Sequence, residues 1–380
     1  MNTRKTILMV LALVVSAPAL AAERTLELRL SEAVPVQVYN LVGAVRLAPG
    51  EDELVIRASV SADDQAIADA VRLTTREHRG VLEVVVEYPE DIDRIRYAGD
   101  EIRRLDARIE YQDRKIRVTT SGGDLVRVDL EIAVPADSRL DVRQAIGPVQ
   151  ASDVAADLTL ATRYGHVNVT DGTGKLVADT GSGHVTVASF RGGVLADTGS
   201  GNVNIENVLG DVTADTGSGK IRLRGIDGEI VADTGSGGVQ ITDARSRRIT
   251  VDTGSGSVHL EDVSGSLHVD TGSGSVRGEG IVLGPGLLVD TGSGSVKLEG
   301  DLGAVRDLEI DTGSGGVELR SNSPLSLKLA LASGSGGIRV DVPAISNVET
   351  SRNRFRGVIG AGEGTANVST GSGGIKITAP

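Results

Sequence analysis

The sequence contains no cysteine and no tryptophan, and only two phenylalanines, five tyrosines and two methionines among 380 residues. Without cysteine there is no disulfide scaffold, and there is no thiol on which a lipoprotein could be acylated. With aromatics at 2%, a core must be built from Val, Ile, Leu and Ala, which suits many thin layers of strand better than one bulky centre. An excess of positive charge is lacking too: 39 basic residues face 52 acidic ones, a net charge of −13. Such a chain has no electrostatic footprint for nucleic acid or for anionic lipid. After the first 21 residues no uncharged apolar run approaches the roughly 20 residues that span a bilayer, so no transmembrane segment is expected in the mature chain.

The beginning of the chain reads as a targeting segment. Arg4 and Lys5 precede an apolar run from Ile7 to Val15, and Ala19-Leu20-Ala21 offers a small-residue cleavage site. This is the pattern of a secretory signal peptide over residues 1–21. Its removal takes away two bases and both methionines, Met1 and Met9, and leaves 37 basic against 52 acidic residues, a charge of −15. The expected address is outside the cytoplasm: periplasm, cell surface or medium.

What the sequence has in abundance is one pentapeptide, Asp-Thr-Gly-Ser-Gly, intact eight times. The copies start at Asp179, Asp197, Asp215, Asp233, Asp252, Asp270, Asp290 and Asp311, in steps of 18, 18, 18, 19, 18, 20 and 21 residues. Worn copies follow at Ala332-Ser333-Gly334-Ser335-Gly336 and Ser369-Thr370-Gly371-Ser372-Gly373. Regular self-similarity at this period is the mark of a solenoid. Three residues before each Asp and one before it, the residue is always apolar (Val194 and Ala196, Ile249 and Val251), while the one between varies from Leu195 to His268 to Glu309. Six residues after the Asp an apolar residue returns, and eight after it another in every coil but one, where Gly278 stands; the intervening position is polar each time, as in Arg222, Gln240, His259 and Lys297. Each coil therefore carries two short strands with an inward pair flanking an outward residue, and the pentapeptide is the corner between them. A second corner follows, with an apolar residue such as Phe190 or Val208 and then Gly192 or Gly210. The fold expected is an all-β parallel β-helix with coils of 18–21 residues; the rule for parallel crossovers favours a right hand, and the steps of 18 also permit a left-handed three-by-six helix, whose strict apolar hexapeptide is missing.

Residues 22–150 lack the pentapeptide and read as a β-rich capping region. Leu26, Leu28 and Leu30 alternate with charged residues, and Leu125 to Val134 does the same. Two helical insertions are expected there. Ser61 to Glu77 has Ile67, Ala70 and Val71 at helical spacing behind Asp63 and Asp64. The charged stretch Glu90 to Lys115 has Ile102, Leu105 and Ile109 at helical spacing, and reads as a solvated excursion laced with ion pairs. Residues 151–380 are then the β-helix of Asp-Thr-Gly-Ser-Gly coils.

The coils of the form Val251 to Leu260, the segment Ile132-Ala133-Val134-Pro135 and the ending Thr370-Gly371-Ser372-Gly373-Gly374-Ile375 together resemble the bacterial putative-adhesin family of repeated β-strand domains of unknown function. That resemblance implies a fold and a surface role. It carries over no catalytic residue, because the family has none established.

Asp-Thr-Gly-Ser is also the active-site string of pepsin-like proteases, whose chemistry needs two carboxylates sharing a proton across a cleft. Eight copies at coil spacing make a row instead, and nothing pairs two of them. The preferred reading is turn chemistry: the Asp side chain bonds its own chain two residues on, the hydroxyls satisfy corner backbone, and the glycines allow positive φ or close approach. The sharper alternative is a Ca²⁺ row on Asp179, Asp197, Asp215, Asp233, Asp252, Asp270, Asp290 and Asp311, since carboxylates about 4.8 Å apart would repel or recruit a cation. No other cofactor is expected. His166 and His184 share one repeat position and should stack on the outer surface. Arg352, Arg354 and Arg356 surround Phe355 in a break of the repeat, read as a basic loop that closes the array or meets an acidic partner.

The function expected is that of an exported, non-enzymatic envelope protein whose repetitive surface serves adhesion, scaffolding or self-association. The alternative is a polysaccharide-binding or polysaccharide-cleaving β-helix. An envelope protein, a glycan or a second copy are the partners such a surface admits; nucleic acid is not.

Overall fold

The computed structural model describes residues 11–13, 22–31, 34–99 and 102–380. The expected signal peptide, apart from Leu11–Leu13, lies outside the described residues. The chain is all-β, a solenoid of about 12 turns with coils of about 19 residues. Among the described residues no helix is long and apolar enough to cross a membrane. The chain divides into two compact units, residues 1–193 and 194–380.

In the first unit, coils stack through parallel strands in two rows. Val36–Val42 pairs with Arg139–Ile146, which pairs with Asp157–Tyr164 and then Leu176–Thr180. Beside them Val45–Pro49 pairs with Val149–Ser152, then Val167–Thr170 and Val185–Arg191. Parallel stacking thus reaches upstream of residue 151, to residue 36. After its first coil the chain leaves the stack at residue 50 and returns at 139, and the excursion covers that coil's open edges. Val126–Val134 lies parallel to Val45–Pro49 and antiparallel to Leu54–Ala62, which Ala22–Leu30 joins. Val81–Glu87 lies parallel to Val36–Val42 and forms a hairpin with Arg72–His78.

The helical insertions are corrected. The first shrinks to a six-residue helix, Gln65–Ala70, whose first turn is capped by Asp64 accepting from the Ile67 N–H at 2.9 Å. Strands flank it, ending at Ala62 and resuming at Arg72. The charged stretch is a separate three-stranded sheet of Arg94–Arg96, Asp106–Tyr111 and Arg114–Thr119. Alternation, not helical spacing, is the pattern that counts there: Ala107, Ile109 and Tyr111 point inward while Arg108 and Glu110 face out. The excursion carries ion pairs, Arg117 to Asp106 at 2.6 Å and Arg96 to Asp63 at 2.8 Å, and one face of it is anchored in the core. The buried Tyr111 hydroxyl donates to the Val86 carbonyl at 2.8 Å, its ring meets Tyr88 edge-on, and Arg114 donates to four carbonyls from Tyr88 to Ile92.

The second unit repeats one coil from Val194 onward. Val194, Val212, Ile230, Ile249, Leu267, Leu287 and Leu308 form one buried column, and Val203, Ile221, Val239, Val258, Val276, Val296 and Val317 another. Each such side chain contributes about 1.5–3 kcal/mol on burial, and only a stacked neighbour supplies that burial. Where Gly278 interrupts a column, Leu298 and Ile281 fill the gap. The order of coils departs from the sequence at the end. Gly364–Thr370 lies between Asp307–Thr312 and Leu327–Ser333, and Ile375–Thr378 lies between Val317–Ser321 and Ile338–Asp341. The last coil in sequence is therefore the next-to-last in space. The segment holding Arg352, Arg354 and Arg356 is a hairpin of Ile345–Ser351 and Arg354–Ile359 rather than a loop, laid antiparallel against Leu327–Ser333.

Close approach between coils decides where glycine is obligatory. A Cβ on Gly256 would sit 1.7 Å from the Gly237 carbonyl oxygen, and one on Gly237 would sit 1.6 Å from that of Gly219. Gly256→Ala should therefore cost about 3 kcal/mol or more. Gly337→Ala, with nothing within 4 Å of its Cβ, should stay within about 0.5 kcal/mol. Denaturant midpoints of the two variants check this, and equal midpoints would contradict it.

Candidate functional site

The corner assigns its five residues different tasks. Its threonine points inward and is fully buried: Thr216, Thr234, Thr253, Thr271, Thr291 and Thr312 are each 0% exposed. A buried hydroxyl must be paired; from Thr216 to Thr291 each is paired twice, while Thr312 donates to the Gly315 carbonyl of its own turn. Thr253 Oγ1 accepts from the Gly256 N–H at 3.0 Å, closing its own turn, and donates to the Gly237 carbonyl of the preceding coil at 2.9 Å. Thr234 does the same with Gly237 and Gly219, and Thr271 with Gly274 and Gly256. The first glycine of each corner donates its N–H to the threonine carbonyl one coil back, as Gly254 does to Thr234 at 3.2 Å. At the out-of-order end Thr370 donates to the Gly315 carbonyl and Ser333 to that of Gly373. In the first unit the same inward column runs Asn40, Gln144, Thr162 and Thr180, and the Tyr88 hydroxyl closes it by donating to Asn40 Oδ1 at 2.8 Å. Burial pushes the Tyr88 phenol far above its ordinary value.

From Asp215 to Asp311 the aspartates do not cap the turn, which corrects the aspartate part of the expected turn chemistry. Among the described residues the carboxylates of Asp215, Asp233, Asp252, Asp270, Asp290 and Asp311 make no hydrogen bond. They are exposed and in register, Asp233 beside Asp215, Asp252 beside Asp233, Asp270 beside Asp252, and so on to Asp311. Partial burial first, and then the neighbouring carboxylates, raise Asp215, Asp233, Asp252 and Asp290 above the ordinary carboxylate value. In the first unit Asp179 is raised by burial, with Arg143 pulling it back. The carboxylates stand in file, one per coil, and among the described residues no group of three or more His, Asp or Glu side chains converges. Ca²⁺ takes roughly six to eight oxygens, so protein carboxylates alone would leave most positions to water.

The histidines do stack: the His166 and His184 rings lie 4.9 Å apart and 10° from parallel. His166 Nδ1 accepts from the His184 backbone N–H at 2.9 Å. In the second unit Asn202 Oδ1 accepts from Lys220 N–H, and Ser275 Oγ from Ser295 N–H, at the same repeat position. His166 therefore does backbone work that Asn and Ser do elsewhere. Parallel rings do not aim two nitrogens at one metal.

Outward residues form further columns in the second unit. Across the corner from the aspartates run Asn204, Arg222, Gln240, His259, Arg277, Lys297, Glu318, Lys376 and Arg339 in spatial order. Much of that charge is matched locally: Lys376 meets Glu318 at 2.9 Å, Arg339 meets Asp341 at 3.3 Å, and Arg277 bonds Glu279. The other outward column, Thr250, His268, Leu288 and Glu309, forms the floor of an open groove of about 600 Å³ walled by Arg248, Pro285 and Arg306. Arg248 and His268 side chains make no hydrogen bond or ion pair among the described residues, whereas Arg306 meets Glu363 at 3.2 Å. This groove was not legible in the consensus of the repeat. Its signal lies in the irregular steps of 20 and 21 residues, whose extra residues around Pro285 and Arg306 build the wall.

Residues 192–378 match the family model Toastrack DUF4097. No curated protein matches the chain. Two solved structures are similar over most of its length. One is a putative cell adhesion protein from Clostridium sporogenes, 8% identical, covering 95% of this chain and 100% of its own, with a TM-score of 0.16. The other is a putative adhesin from Parabacteroides distasonis, 10% identical, covering 93% and 97%, with a TM-score of 0.23. Overlays this loose carry no weight for function.

Two measurements check the corner. Thr253→Val should leave the Gly256 N–H and the Gly237 carbonyl unpaired and cost about 2–4 kcal/mol, while Thr253→Ser, which keeps the hydroxyl, should cost about 1 kcal/mol; equal losses would contradict the hydroxyl's role. For the row, an acid with a raised folded pKa loses stability as pH rises through that pKa and regains it below the unfolded value, 3.8 here. Neighbours about 4.8 Å apart repel by about 0.9 kcal/mol in water. Asp252→Asn should therefore raise Tm at pH 7 and low salt by roughly 1–3 °C, with the gain vanishing towards pH 4 and in high salt. A gain independent of pH, or a Tm of the unmodified protein that climbs in millimolar Ca²⁺ over chelator, would contradict a bare carboxylate row.

Proposed function

From a chain whose residues 192–378 form a Toastrack DUF4097 domain, we infer an exported, non-enzymatic protein of the cell envelope that works as an adhesive or scaffolding surface. The observation that carries this reading is the outward columns: they repeat coil after coil, and much of the charge in the column across the corner from the aspartates is matched to neighbours. Chemistry of that kind suits many weak contacts along a surface better than one reaction at a point. The exposed aspartate row adds a second property. A file of like charges along a β-stack keeps other β-surfaces from laying themselves against it.

A polysaccharide-binding reading is favoured by one observation, the groove over Thr250, His268 and Leu288 with Arg248 at its wall. An unpaired guanidinium and an imidazole beside Thr250 and Leu288 match a sugar carrying a carboxylate, in a groove that Asp307 and Glu309 also line. Aromatic platforms are missing from it, so retention and not cleavage is the outcome expected. A panel of neutral and acidic oligosaccharides, scored for binding and for cleavage products, separates the readings. Binding of acidic sugars without cleavage, weakened roughly tenfold by Arg248→Ala as for the loss of one charge-assisted hydrogen bond, supports the surface reading with a glycan partner. Any cleavage product overturns the non-enzymatic assignment.

A further inference from the structure

We propose that the C-terminal segment 364–378 is an exchangeable strand pair, and that the slot it fills accepts the same segment from a second copy of the chain.

The coil made by Gly364–Thr370 and Ile375–Thr378 is sandwiched. On one side it pairs in parallel with Asp307–Thr312 and Val317–Ser321, and on the other with Leu327–Ser333 and Ile338–Asp341. Both of those flanking coils precede it in sequence. They exist before the segment that separates them, so the slot is closed by chain that arrives last.

Three features make the segment separable. Its contacts are the generic ladder of the solenoid: Thr370 Oγ1 to the Gly315 carbonyl at 2.8 Å, Ser333 Oγ to the Gly373 carbonyl at 2.9 Å, and Lys376 Nζ to Glu318 at 2.9 Å. None of these contacts depends on which copy supplies the segment. The flanking coil 327–341 keeps the hydroxyl and both glycines of a corner in Ser333, Gly334 and Gly336, so it carries the groups needed to stack directly on the coil of Asp311 when the segment is out. The connection from the preceding strand, which ends at Ile359, is four residues long and contains Gly360 at φ +57° and Gly362 at φ +68°. A short joint with left-handed glycines that links a complete element to the rest of a fold is where exchange between identical copies opens at low cost. Reciprocal exchange gives a closed two-fold dimer in which every ladder contact is kept.

The absence of cysteine makes the test clean. Glu309 and Asn367 are exposed register partners on adjacent strands, within reach of a disulfide. Full-length Glu309→Cys and Asn367→Cys proteins, mixed, warmed to the onset of unfolding, cooled and oxidised, should give a disulfide-linked pair in severalfold excess over either variant alone. The chain carrying both substitutions should close within itself and, once closed, cease to exchange. Unmodified protein in light and heavy isotopic forms, taken through the same cycle, should give dimers of mixed mass by native mass spectrometry. No excess of the mixed cross-link, mixed-mass dimers without that cross-link, or failure of the doubly substituted chain to close within itself would each overturn the proposal.

Discussion

Everything in this fold depends on letting one backbone corner sit directly on the next. Strands stack easily because their ladders pair above and below, but a corner turns its N–H and C=O groups out of the ladder and into a dry interior. The threonine hydroxyl meets that constraint. It accepts from the N–H of the second glycine in its own turn and donates to the equivalent glycine carbonyl of the coil before, so a single side-chain atom closes the turn and joins two turns together. The second glycine follows from the first condition: with carbonyl oxygens less than 2 Å from where its Cβ would be in the central coils, no side chain fits. Where the threonine is replaced, the substitute keeps a polar group in the column, as Asn40, Gln144 and Ser333 do.

A second regularity runs beside the first. Asp153, Asp171, Ser189, Asn207, Gly225, Asp243, Asp262 and Gly280 all have positive φ near 50–65°. Apart from Ser189 these are the residue types that tolerate the left-handed region, and they recur at coil spacing. They kink the chain along the second strand, as Ser189, Asn207 and Gly225 do, and deliver the next apolar residue inward, Val208 and Ile226 among them. The space such residues fill is set by the coil before. Phe190 packs where Gly172 leaves room, and a Cβ there would lie 2.6 Å from its ring.

Much of this was readable from the residues. The inward and outward columns of each coil follow directly from apolar residues at positions −3, −1, +6 and +8 around the aspartate, and the structure buries them. The pentapeptide reads as a corner, and Asp, the commoner turn former, draws the eye in it; the threonine holds the corner because its side chain is the one that faces the interior. The charged segment between 90 and 115 is ambiguous locally because Ile109 belongs both to a helical spacing with Ile102 and Leu105 and to a strand alternation with Ala107 and Tyr111, and the tertiary anchors that decide the matter, Tyr111 and Arg114, act over distances a local pattern does not contain. The inserted last coil left no trace in the sequence. A worn corner at Ser333 and another at Thr370 look alike, and only pairing shows which one lies against Asp311. The groove beside His268 was hidden by the same regularity, since it is built where the period slips.

The central claim, that the corner is a buried hydrogen-bonded joint rather than a surface turn, is tested most directly by native-state hydrogen exchange at the corner glycines. The amides of Gly219, Gly237, Gly256 and Gly274 should be protected to the level of neighbouring core strand amides such as Val258, while the adjacent Ser236 and Ser255 amides exchange quickly. Glycine amides that exchange as fast as those serines would show that the threonine hydroxyls do not hold the turns, and the account would fail.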